Sequence, residues 1–292
     1  MVRSRIFNRI CSIAPGVAMK EIEWYYPKKI EEAAVLVREE GILPHGGGTW
    51  ILMGGIRKTR GIIDLDHLPL RFFREKKSHI EIGPCLTYAD LIENIERVDP
   101  GHVLSKALSH AASTPLRNRI TVGGTISAFP AWSDLMGPLL ALETEVSLIG
   151  QKEGQYTLQE YARTPGLRKG TLISSIRIKK TKWDSYYHRE VRTRFDYPAF
   201  TVTILARKNG KTVEDARVVV VGCSGKFMLL IGPEEILREK KRAELKLDGR
   251  LRDIVFGLEE IRFARKKGND PVYTKHLCFV ALERGLEQIT GG

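Results

Sequence analysis

The amino-acid sequence predicts an α+β protein in two parts, and three observations carry that prediction. Short apolar runs alternate with an amphipathic helix over residues 19–65, the pattern of a small α/β unit. Further on, two strongly β-prone runs, Phe200–Ala206 and Ala216–Gly222, flank Asn209-Gly210, a hairpin signal. The tail then switches to helical periodicity. With 292 residues and 42% hydrophobic side chains the chain is large enough to bury a real core. The net charge of +12 is spread evenly along it, without a basic tail or zinc-finger spacing. That distribution fits a solvated or anion-binding surface, and no nucleic acid is expected as a partner.

The elements follow in order. Residues 1–18 read as an N-terminal extension, basic but broken by Ser12 and Pro15 and therefore poor as a signal peptide. Lys20–Tyr26 alternates as a strand and Pro27 closes it. Lys28–Glu40 places Ile30, Ala33, Ala34 and Val37 on one helical face, with Gly41 at the cap. Ile42-Leu43 leads into a glycine loop and a short helix, and Gly61–Leu65 is the next strand. His79–Gly83 is another. Thr87-Tyr88-Ala89-Asp90 has the form of a capping box opening a helix, as does Thr157-Leu158-Gln159-Glu160. Val103–Ala112 reads as helix, residues 127–134 as a turn, Leu135–Leu142 as helix, and Glu145–Ile149 and Leu172–Ile178 as strands. Lys179–Asp184 is a polar break and the expected domain boundary. Beyond the hairpin, Pro233–Leu245, Arg250–Ala264 and Val272–Gln288 read as helices, the last placing Tyr273, Leu277, Val280 and Ala281 on one face.

Two glycine-rich turns carry the chemistry. His45-Gly46-Gly47-Gly48-Thr49-Trp50 and Thr121-Val122-Gly123-Gly124-Thr125 leave no side chain between backbone and ligand. Together they suit a diphosphate. The amides of Gly46, Gly47, Gly48 and Thr49 would take one phosphate. Those of Val122, Gly123 and Gly124, with the Thr121 hydroxyl, would take the other. Two unrelated structural turns is the plainer alternative. Neither stretch is a Walker loop or a G-x-G-x-x-G helix start. Asp134 binds a sugar hydroxyl, caps the next helix, or does both. Arg117 and Arg119 either balance phosphate charge or are solvated, and His45 reads as structural. The four cysteines are scattered, so no metal site is expected, and a reduced cytoplasmic setting fits. No apolar run has the length of a transmembrane helix. No nucleophile–base arrangement is anchored by a local motif, so a cofactor must supply the reactivity.

The ordered series of motifs resembles one family. Tyr26-Pro27, Glu31-Glu32-Ala33, Gly46-Gly47-Gly48-Thr49, Ile63-Asp64-Leu65 and Ile82-Gly83 with Thr87 and Leu91 come first. Arg117-Asn118, Thr121-Val122-Gly123-Gly124, Phe129-Pro130 with Asp134, and the run from Leu139 to Leu148 follow. This series is similar to that of the FAD-binding medium subunits of molybdenum hydroxylases, the carbon monoxide and xanthine dehydrogenase group with a PCMH-type FAD-binding domain. The likeness is strong over residues 19–180. It is fainter over residues 181–292, where it implies the family's smaller α+β C-terminal flavoprotein domain.

The resemblance implies a non-covalent FAD, since no residue matches the superfamily's covalent histidine. Leu43, Pro44, His45, Gly46, Gly47, Gly48, Thr49 and Trp50, with Thr121, Val122, Gly123, Gly124 and Thr125, would hold the diphosphate and ribityl chain. Asp134 would bind a sugar hydroxyl, and Leu172 and Ile173 would line the flavin or adenine pocket. Tyr187 would pack on the ring, and His188 or Arg189 would stand where the family has a lysine near the flavin. Trp50, Thr125 and the segment Gly222–Pro233 depart from the family pattern. The implied role is electron transfer, from a [2Fe-2S] cluster on a small partner subunit through FAD to an external acceptor. The molybdenum cofactor would lie on a large partner subunit, making a hetero-oligomer. A stand-alone FAD reductase of the same superfamily and a non-catalytic assembly protein are the alternatives.

Overall fold

A computed structural model describes residues 22–54, 59–194, 196–210, 212–231, 234–235, 260–264 and 270–291. The first unit is β1 (Glu23–Tyr25), α1 (Ile30–Leu36), β2 (Ile42–His45), α2 (Thr49–Gly54) and β3 (Gly61–Asp64). Its strands pair in parallel in the order β1-β3-β2, as strands joined through helical crossovers must. Ala33, Leu36 and Val37 bury against Ile42 and Ile63. The helix is shorter than its sequence pattern, because Lys29 is still extended and the cap falls at Val37.

The second unit runs through β4 (Phe73–Glu75), β5 (His79–Ile82), α3 (Tyr88–Val98), α4 (Val103–Ser109), α5 (Thr114–Arg117), α6 (Val122–Ala128) and α7 (Met136–Ala141). It continues with β6 (Glu145–Gly150), β7 (Gly154–Thr157), α8 (Leu158–Arg163), a 3-10 turn (Pro165–Leu167) and β8 (Thr171–Lys179). The strands form an antiparallel sheet, β4-β5-β8-β6-β7. Both predicted capping boxes are present, on α3 and α8. The expected turn at residues 127–134 is corrected at its start. Ser127 and Ala128 complete α6, which stops at Phe129 in the left-handed region (φ 41°).

The third unit is an antiparallel meander of β9 (Asp184–Glu190), β10 (Phe200–Asn209), β11 (Thr212–Val221) and β12 (Phe227–Leu229), followed by α9 (Pro271–Gly291). The Asn209-Gly210 hairpin is present, with Gly210 at φ 59°. Period-two alternation splits this sheet between two cores. Val202, Ile204, Val218 and Val220 face α9, whereas Leu205, Val219 and Val221 join the core beneath α3–α7. The buried face of α9 keeps Ala281 of the predicted set, with Leu277 packed against the same core, and otherwise departs from it. Cys278, Ala281, Leu282, Leu286 and Ile289 are buried, and Tyr273 is 62% exposed. These five sit three, one, four and three residues apart, a helical stripe displaced from the predicted one. Residues 260–264 are not helical. The rest of the predicted helices at 233–245 and 250–264 lies almost wholly outside the described residues, as does the 1–18 extension. Helices α3–α7 therefore lie between two sheets, and α7 is buried along its whole length.

Candidate functional site

The two glycine turns pack directly on each other. The first leaves the C-terminal end of β2 and enters α2. The second is the start of α6, whose cap residue Thr121 accepts the Gly124 N–H at 3.2 Å. A third segment underpins it. Val122 N–H donates to the Leu86 carbonyl at 2.9 Å, and Gly123 N–H to that of Pro84 at 2.8 Å. Arg119 closes the gap by donating from its guanidinium to the Gly47 carbonyl at 3.2 Å. A Cβ on Gly47 would lie inside the Arg119 carbonyl oxygen, so only glycine permits this approach. Gly48 sits at φ 77°, its α-carbon shielded by the His45 ring, which makes an edge contact with Trp24 at 5.4 Å.

Donor accounting separates the two turns. Among the described residues, the N–H groups of Gly47 and Gly48 meet no acceptor. In the second turn, by contrast, the N–H groups of Val122, Gly123, Gly124 and Thr125 all donate within the chain. The amides expected to meet the second phosphate are thus all bonded within the chain. Val122 is fully buried, and Thr125 points inward, its hydroxyl 2.9 Å from that of Tyr88. What the second turn offers the first is the Thr121 hydroxyl and the bare edge of Gly124. Arg117 is likewise spent, donating to the carbonyls of Ala111 and Ala112.

Asp134 is neither exposed nor a helix cap. The helix-capping role falls to Ser133, whose hydroxyl accepts the Met136 N–H at 3.2 Å. Asp134 is 7% exposed and its Oδ1 accepts from the Tyr187 hydroxyl at 2.7 Å and from Arg189 Nε at 2.8 Å. Burial pushes its carboxyl up, and Arg189 and Tyr187 pull it back without cancelling the rise. Burial, followed by the Asp134 charge, holds the Tyr187 phenol well above its ordinary value. Arg189 also donates to the Asp196 carbonyl at 2.6 Å. Strand alternation puts His188 on the other face of β9, bonded to Glu190 at 3.0 Å and stacked on Tyr186. Thus Arg189, and not His188, shares the face with Tyr187.

The remaining expected residues are dispersed by the pleat. Leu172 is buried with α1 in the first core, whereas Ile173 is buried in the second. Leu43 is 37% exposed and Trp50 41%. Trp50 leans on Trp132 (6.2 Å), and Trp132 on Tyr197 (5.0 Å), joining α2, the α6–α7 turn and the β9–β10 loop. Trp132 and Tyr197 escaped the sequence reading because nothing in a lone aromatic within a loop marks it as reaching across the fold. No cluster of three or more potential metal ligands occurs among the described residues. The arrangement can hold an anion on backbone donors; it contains no nucleophile paired with a base.

Residues 20–180 match the family described as the FAD binding domain in molybdopterin dehydrogenase. The chain is 24% identical to the nicotine 6-hydroxylase medium subunit of Paenarthrobacter nicotinovorans, over 74% of this chain and 80% of that one. It is 26% identical to the carbon monoxide dehydrogenase medium chain of Hydrogenophaga pseudoflava, over 76% and 79%. Among solved structures, its fold is similar to carbon monoxide dehydrogenase from Hydrogenophaga pseudoflava lacking the Mo-pyranopterin moiety (TM-score 0.81, 22% identity, 92% of this chain and 96% of that one). It is also similar to quinoline 2-oxidoreductase from Pseudomonas putida 86 (TM-score 0.83, 15% identity, 94% and 99%).

Proposed function

The chain belongs to the family of FAD-binding domains of molybdopterin dehydrogenases, and from that premise we propose that it is the electron-transferring medium subunit of a molybdenum hydroxylase. The observation that carries the reading is the pair of unpartnered N–H groups on Gly47 and Gly48, held open against the second glycine turn by Arg119. Such donors suit one phosphate of an FAD diphosphate, and the Thr121 hydroxyl with the Gly124 edge suits its neighbour. FAD, when bound, would supply the redox chemistry, a relay of electrons between a [2Fe-2S] cluster on a small subunit and an external acceptor. The chain's own residues bind and orient. Gly46–Thr49 fix the diphosphate, Trp50 borders it, and Tyr187 and Arg189 set the charge of the neighbouring wall through Asp134. The substrate-oxidising molybdenum site belongs, in this reading, to a separate large subunit, which accounts for the lack of acid–base machinery. The assembly is placed in the cytoplasm, in keeping with free thiols at Cys85, Cys223 and Cys278. No described helix is long and apolar enough to cross a membrane.

The test is an absorbance spectrum of the purified chain before and after acid precipitation, with a search for co-purifying large and small subunits. Flavin bands that leave with the supernatant are expected. Flavin retained in the pellet would contradict non-covalent binding, and a colourless chain that refuses added FAD would overturn the reading.

A further inference from the structure

At the far end of α6, about 10 Å from the glycine turns by helix rise, the β11–β12 turn meets α8 and the 3-10 turn around a cavity of ≈ 410 Å³. Three cations line it, Arg163, Arg168 and Lys226, with the rings of Phe129 and Phe227, and no acidic residue does. The Arg163 guanidinium lies 5.6 Å from the centre of the Phe227 ring. Lys226 Nζ lies 5.0 Å from that of Phe129 and donates to the Phe129 carbonyl at 3.0 Å. One of its three N–H groups is thereby used.

Two little-exposed arginines elsewhere have carboxylates, Arg189 with Asp134 and Arg217 with Glu143 and Asp215, whereas Arg163 and Lys226 are exposed and Arg168 is half-buried. Among the described residues, Arg163, Arg168 and Lys226 have none. Their mutual repulsion is felt, since burial and then the Arg168 charge hold Lys226 below its ordinary value. Two lining residues also sit in the left-handed region, Phe129 at φ 41° and Lys226 at φ 76°, conformations that side chains other than glycine adopt only when the surroundings impose them.

We propose that this cavity is a second anion site, separate from the glycine turns, that takes a small ligand bearing a polyvalent oxyanion group. Charge-assisted bonds from two guanidiniums and an ammonium suit phosphate or clustered carboxylate oxygens. Because Arg163 and Arg168 come from the second unit and Lys226 from the third, the ligand bridges them and stabilises the folded chain.

The site stands on its own residues and is testable whether or not the chain binds flavin. The full chain, saturated with FAD if it takes FAD up, is titrated calorimetrically with inorganic pyrophosphate and, separately, with citrate. Saturable binding is expected, with a rise in the unfolding midpoint. Arg163→Gln and Arg168→Gln should each weaken it about tenfold, while Lys152→Gln, at an exposed site away from the cavity, should not. Preference for pyrophosphate identifies a phosphate-bearing ligand, preference for citrate a polycarboxylate, and equal binding a site that reads charge alone. No saturable binding of either anion, or binding that both arginine variants leave unchanged, overturns the proposal.

Discussion

Gly47 shows how one residue can decide whether two distant turns make a site. Its α-hydrogen faces the Arg119 carbonyl, and a methyl group there has no room. Gly47→Ala is expected to lever the first turn off the second, weaken FAD at least about tenfold, and cost roughly 1–3 kcal/mol of stability. Gly54→Ala, where a Cβ would meet nothing within 4 Å, is the control and should change neither. Flavin titration and urea unfolding of both variants check this, and equal affinity of Gly47→Ala and wild type would sink it. The thiols make a second residue-scale case. Burial, helped by Asp66 and Asp64, pushes Cys85 up to about 12, and burial alone lifts Cys223 to about 11. Only a thiolate reacts. A thiol reagent at neutral pH should therefore leave both unmodified in the folded chain and label both after denaturation. Peptide mapping reads out the two sites separately.

Among the elements, α3 was legible because its start is chemical. Thr87 accepts from Asp90 N–H and Asp90 returns a bond to Thr87 N–H, while Arg71 grips the same carboxylate at 3.0 Å. Burial alone would raise Asp90, but the Arg71 and Thr87 bonds outweigh it and hold the carboxyl below its ordinary value. A lowered folded-state value means that this stability is present above the unfolded value and lost as pH falls through the folded one. Asp90→Asn is therefore expected to cost about 1 kcal/mol at neutral pH, and the gap from wild type should close in acid. Unfolding curves across that range test it; a gap independent of pH would count against the capping role. Other elements were less legible. α6 was hidden because Val-Gly-Gly-Thr has little helical propensity, and it is held by bonds from Pro84 and Leu86 that no local pattern announces. β9 was missed because Asp-Ser-Tyr-Tyr-His-Arg-Glu is polar on both faces, its strand form coming from seven pairings with β10. The glycine turns themselves were plain in the sequence. That only the first keeps free donors follows from tertiary bonding and could not be read there.

At the scale of the molecule, residues before and after the polar break at 180–183 are bound into one body. The core beneath α3–α7 includes Leu205, Val219 and Val221 from the meander. Lys106 bonds Ser185, and Arg217 bonds Glu143, across the same junction. The most buried of these ties is Asp134 to Arg189, with side chains 8% and 10% exposed. It sits beside the wall assigned to the cofactor, so its electrostatics couple the fold to the site. Removing one partner of such a pair leaves the other charge without compensation. In Arg189→Met, burial acts on Asp134 with its main opponent gone, and the folded-state carboxyl rises further above the unfolded value. A raised carboxyl stabilises the fold below the unfolded value, about pH 4, and that contribution disappears as pH climbs through the folded one. The loss in Arg189→Met is thus expected to be smallest near pH 4 and to grow to about 3–5 kcal/mol at neutrality. Asp134→Leu combined with Arg189→Met removes both charges and should recover much of that loss, leaving little dependence on pH. Urea unfolding of the three proteins at several pH values is the measurement. If the single variant loses the same stability at every pH, the tie acts by packing and not by charge.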